Sequence, residues 1–134
     1  MKHVTKAEVQ GLFDRYKNIF GLSNWQCKIF VLSEKELNKR FKETVLPVGD
    51  AGLEFDPMTE HADICISRKC SYRELDFSIK HEMGHLVFSD MDGLVESILH
   101  RFKAKKEDTV NWHLALDQTI NKWVNIVSRT KNAD

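Results

Sequence analysis

Residues 71–88 read "SYRELDFSIKHEMGHLVF", and the fold turns on whether they form one helix. Ser71 with Glu74 three positions on matches a capping box, in which a hydroxyl and a carboxylate satisfy free backbone N–H groups at a helix start. Leu75, Ile79, Met83, Leu86 and Val87 then recur at helical spacing until "SDMDG" (89–93) stops the pattern. A helix here puts His81 and His85 on one face, because residues i and i+4 lie one above the other. Two imidazoles so placed suit cis ligation of a tetrahedral metal. Glu82 sits about 60° around the helix from His85 at ~100° per residue, out of line as a third ligand but within reach of a water beside the metal. The competing reading is two histidines merely packed on a helix.

Working outward, Thr5 with Glu8 is a second capping-box pattern, and Val9, Leu12, Phe13, Tyr16, Ile19 and Phe20 form a helical stripe up to Gly21. "WQCKIFVL" (25–32) alternates and then turns wholly apolar, as a strand entering a core does. Ser33 with Glu36, and Leu37 with Phe41, predict a short helix before Pro47. "AGLEF" (51–55) and "ADICIS" (62–67) flank the turn-like Asp56-Pro57 and predict an antiparallel hairpin. Two further helices are expected, from about Leu94 to Phe102 and from about Val110 to Arg129. The order is α, β, short α, β-hairpin, α, α, α. It describes an α+β fold, a small antiparallel or mixed sheet packed against helices with the histidine motif on a central helix.

The chain of 134 residues is long enough for one core and too short for two, so residues 1–134 are expected to form a single domain. Charged residues make up 30% of it and balance to zero net charge, which gives no sign of binding to nucleic acid or to an anionic membrane. The basic run in "RFKAKKED" (101–108) reads as a solvated loop or helix end. Cys27, Cys65 and Cys70 are odd in number and lack CxxC spacing, so buried free thiols are expected rather than a disulfide framework or zinc ribbon. The opening "MKHVTKAEVQGLF" has no apolar core of a signal peptide, and a cytoplasmic location is the expectation.

"HEMGH" (81–85) on a helix that follows the strand "ADICIS" resembles the zincin metallopeptidases, and the chain is similar to short zincin-like proteins encoded by phages and prophages. The similarity spans roughly residues 25–128. It implies a zinc-dependent peptidase in which His81 and His85 bind the metal, Glu82 is the general base, and an edge strand holds a protein or peptide substrate extended above the motif helix. The hairpin around Ala62 to Ser67 is the expected edge.

A catalytic zinc needs a third protein ligand. The metzincin continuation is absent, since Phe88 stands where its glycine would be and Met91 where its third histidine would be. Glu96 is set aside because it points away from the apolar face Val95, Ile98, Leu99 and Phe102, together with His100 and Lys103. Glu107 has a suitable sequence distance but falls in the turn-like "KKEDT" (105–109). Asp117 lies at the edge of the buried arc of the last helix, where a carboxylate needs a cation or hydrogen bonds, and short zincin-like chains carry Glu at this kind of position. Asp117 is the expected ligand, with Glu107 and His113 as alternatives. His113 has two other readings, an oxyanion donor or a rim residue without a role, while Tyr72 and His100 are further oxyanion candidates. Asp76, Asp90 and Asp92 are the candidates to orient the ligand histidines. The alternative to a peptidase is a zincin-like module that binds metal without turnover and acts as a regulatory or host-interaction protein. Substrate identity and oligomeric state are open at this level.

Overall fold

The computed structural model describes residues 3–44 and 48–132, with side chains through residue 129. The elements are α1 (Lys6–Lys17), β1 (Gln26–Leu32), α2 (Glu34–Arg40), β2 (Ala51–Asp56), β3 (His61–Ser67), α3 (Tyr72–Val87), α4 (Ser89–Arg101) and α5 (Lys106–Asn132). Their order matches the expected α+β succession. Pro47, the expected stop for the short helix, lies outside the described residues. Among the described residues, no helix is long and apolar enough to cross a membrane.

Two capping boxes form as expected. Thr5 and Glu8 exchange bonds at the start of α1, and Ser33 and Glu36 do so at the start of α2. At α3 the Ser71 hydroxyl accepts instead from the Arg73 N–H at 3.2 Å, so the helix is capped by Ser71 without Glu74 returning the bond. Gly21, at φ 72°, takes the left-handed turn that ends the first helical segment and lets Leu22 and Trp25 enter the core.

The sheet is mixed, in the order β1-β3-β2. β2 and β3 form the expected antiparallel hairpin, with Leu53 opposite Ile64, while β1 runs parallel to β3 with Ile29 opposite Ile64. β3 is therefore the central strand. The expectation that Ala62–Ser67 forms the substrate edge is overturned, because both its sides carry partner strands and Ala62, Ile64, Cys65 and Ile66 are buried. The edge belongs to β2, the strand that reaches the cleft described below.

Strand alternation divides the core. Ile64 and Ile66 face Val9 and Phe13 of α1 and Leu75, Ile79 and Met83 of α3. Cys65 points to the opposite face, where Leu37 of α2 and Phe41 at its C-cap cover it. Leu116, Ile120 and Val124 bring α5 in through a third cluster with Phe88, Trp112 and Trp123. The three cysteines are free thiols, Cys65 and Cys70 buried and Cys27 partly so, and burial pushes Cys27 and Cys65 up to about 11.

α4 departs from expectation. It begins at Ser89 directly after α3, so "SDMDG" is its first turn rather than a loop. The apolar face read from sequence splits: Val95 and Leu99 are partly buried, while Ile98 and Phe102 face out. Ile98 and Phe102 are 44% and 77% exposed, whereas the polar side carrying Asp92 and Glu96 faces the cleft. A helix beside a polar site turns part of its apolar face to water, which apolar periodicity does not reveal.

Candidate metal centre

α3 presents His81 and His85 one turn apart, with ring centroids 5.0 Å apart. Asp117 of α5 meets both. Its Oδ1 lies 3.4 Å from His81 Nε2 and 3.1 Å from His85 Nε2, and the three donor atoms all fall within 4.8 Å of one another. Tetrahedral zinc with ligand bonds of ~2.0–2.1 Å sets its ligand atoms ~3.3–3.4 Å apart, so two edges of this triangle already have about the span the ion needs. Two imidazole nitrogens and one carboxylate oxygen also match its ligand preferences.

What brings Asp117 here is the packing of α5 on α3. Gly84 is buried, and a Cβ built on it would lie 2.6 Å from Ile120 Cγ2. The missing side chain lets the helices approach closely one residue before His85 and three residues after Asp117.

Asn121, one turn beyond Asp117, accepts from His81 Nδ1 at 2.7 Å. An amide oxygen only accepts, so Nδ1 donates to Asn121 and Nε2 is the ring nitrogen left facing Asp117, where it would be free to bind a metal once deprotonated. Asn121 thus takes the orienting role for which Asp76, Asp90 and Asp92 were candidates. Asp76 is held by Tyr16 and Lys80, Asp92 accepts from Trp112 Nε1 at 2.8 Å, and Asp90 is exposed. A signal for Asn121 does exist in the sequence: His113, Asp117 and Asn121 repeat every four residues along one side of α5.

Without a metal the site is a charge cluster. Burial opposes the charged form of Asp117, but hydrogen bonds from His81 and His85 outweigh it and hold the carboxyl well below its ordinary range. Burial also works against a charged His81, yet Asp117, Glu82 and Asn121 together raise it above its ordinary value. Glu82 is 7% exposed, and burial pushes its carboxyl up despite the neighbouring histidines. Its Oε2 has no hydrogen-bond partner among the described residues. A buried acceptor left unmatched costs about 1–3 kcal/mol, so Glu82 is a costly residue for the fold at this position.

These side chains open onto a cleft of about 630 Å³ between β2 on one side and α4 and α5 on the other. Ala51, Gly52, Leu53 and Phe55 of β2 line it, with Phe77 of α3 beside His81. His113 is in the opposite wall, with Nε2 2.8 Å from Glu96 Oε1, an ion-pair approach rather than a well-directed hydrogen bond. It is not in the ligand group. Glu107 is exposed in the first turn of α5, away from the histidines. Tyr72 bonds through its hydroxyl to His3 and Glu8 beyond the cleft, and His100 is exposed outside it. Of the expected third ligands, Asp117 is the one the fold brings to His81 and His85.

Compared with known proteins, the chain matches no family model, no curated protein and no solved structure.

Proposed function

We propose that the protein is a zinc-dependent peptidase with His81, His85 and Asp117 as metal ligands and Glu82 as general base. The observation that carries this reading is the meeting of two Nε2 atoms and one carboxylate oxygen beside a buried Glu82, whose Oε2 has no partner among the described residues, on an open cleft. Zinc, when bound, supplies the Lewis acid that polarises a substrate carbonyl and acidifies water. Asn121 fixes the His81 ring for that task. Glu82 accepts a proton from the water as its oxygen attacks the carbonyl carbon. The same carboxyl returns the proton to the amine as the C–N bond breaks. The free edge of β2 lies along the cleft, and its backbone N–H and C=O groups suit an extended peptide added as a further strand. A protein or peptide segment is the substrate class this favours.

The test is metal analysis of purified protein together with a peptidase assay on unfolded protein substrates. About one zinc per chain and chelator-sensitive cleavage that Glu82→Gln abolishes are the expected results. Stoichiometric zinc without Glu82-dependent cleavage would assign the chain to the alternative, a metal-binding module in a regulatory or host-interaction role. No bound zinc would end both readings.

A further inference from the structure

Four large apolar side chains on α4 and its C-cap are exposed along one face. Met91, Leu94, Ile98 and Phe102 are 40%, 63%, 44% and 77% exposed, and at ~100° per residue they fall within an arc of about 80°. They form a continuous stripe running the length of the helix and its C-cap. Water-facing stripes of this kind on a small soluble fold mark a contact surface, because each side chain forgoes the burial that its size would reward.

The charges beside the stripe identify what covers it. Asp90 and Arg101 are exposed, make no ion pair among the described residues, and lie within about 20° of one another on the flank next to Leu94. They stand at opposite ends of α4, nearly equidistant from the middle of the stripe near residue 96. A two-fold axis perpendicular to the helix and lying in the contact plane would place each flank against the same flank of the other copy, reversed end for end. Asp90 of each chain then meets Arg101 of the other, and the stripes overlap along their length. A parallel pairing would instead crowd the acidic first turns, with Asp90 and Asp92, against each other. From this self-complementarity we infer that α4 is an antiparallel homodimer contact, its occupant a second copy of this chain. The contact leaves the opposite, cleft-facing side of α4 uncovered, since Asp92 and Glu96 lie there. It does not depend on the metal.

Analytical ultracentrifugation of the full chain across a wide concentration range tests the pairing. The expected species is twice the 15.6 kDa chain mass. Leu94→Glu and Phe102→Glu, each with unchanged circular dichroism, are expected to weaken association by about tenfold or more. Asp90→Arg and Arg101→Asp are each expected to weaken it, and the double exchange to restore it, an outcome that general stickiness would not produce. A wild type that stays monomeric throughout would overturn the inference. So would a dimer indifferent to the stripe variants, or a charge exchange that fails to restore association. A monomer that pellets with phosphatidylserine-containing vesicles through Leu94 and Phe102 would assign the stripe to a lipid surface instead.

Discussion

Gly84 of α3 and Ile120 of α5 occupy one space, in which a Cβ on the glycine would stand 2.6 Å from Ile120 Cγ2. The position separates two opposing effects. In an open helix Gly→Ala stabilises by about 1 kcal/mol through propensity. Here the branched Ile120 is fully buried and cannot swing aside, so the added methyl must push α5 from α3 at a cost of about 1–3 kcal/mol. Gly84→Ala is expected to lower the melting temperature and to weaken zinc binding, because the displaced helix carries Asp117. Calorimetry and metal titration check the two effects; a stabilised variant with unchanged affinity would show that the close approach is immaterial.

Asn121 touches the ligand group through His81, accepting from its Nδ1 at 2.7 Å. Asn121→Ala removes the acceptor that fixes the Nδ1–H tautomer, and losses of about 10–100-fold in metal affinity follow from such changes. Asn121→Asp keeps an acceptor at the same reach and is expected to retain most of the affinity. Titration with zinc under competing chelator measures both. Equal loss in the two variants would indicate a packing role instead.

The pH dependence of stability is expected to change sign with metal. In the ion-free protein His81 is raised from its ordinary 6.5 by Asp117, Glu82 and Asn121 against the effect of burial, so it binds protons more tightly when folded. That contribution is present below pH 6.5 and lost as pH rises through the raised value. Glu82, raised by burial from 4.5, acts in the same direction: its cost grows as pH climbs past 4.5. Asp117 is depressed from 3.8, so its contribution holds above that value and disappears in stronger acid. The cluster therefore favours the ion-free fold most between about pH 4 and 6.5. Zinc requires deprotonated histidines, so its stabilisation grows as pH rises through that upper limit. Melting curves from pH 4 to 9 with chelator and with zinc are expected to diverge upward of pH 6. Asp117→Asn should flatten both.

Elements held by contacts between near neighbours in the chain are legible in the amino-acid sequence. α1 and α2 announce themselves by hydroxyl-carboxylate pairs three apart, and the β2-β3 hairpin by the Asp56-Pro57 turn between two short apolar runs. The order of the sheet is not legible in this way, since β1 inserts parallel beside β3 across an intervening helix and strand, and no local pattern encodes that pairing. The site divides the same way. His81, Glu82 and His85 are fixed by one helix, and Asp117 is reachable as a carboxylate at the margin of a buried arc. The Asn121 bond to His81 joins residues forty positions apart, so only its four-residue spacing from Asp117 hints at it. α4 shows the limit of amphipathic reasoning: the period gives an apolar face, but not that Val95 and Leu99 turn inward while Ile98 and Phe102 stay in water.

Glu82 is the residue at which stability and proposed activity are expected to conflict. Its carboxyl is buried, raised by that burial, and carries one oxygen without a hydrogen-bond partner among the described residues, a combination that costs stability. Glu82→Met keeps the length of the side chain while removing both the charge and the unmatched acceptor. In the ion-free protein at neutral pH it is expected to gain about 1–3 kcal/mol, read as a melting temperature several degrees higher. The histidines and Asp117 remain, so zinc should still bind, while hydrolysis is lost with the base. A variant that melts lower than wild type would mean that Glu82 is satisfied within the fold and stabilises it.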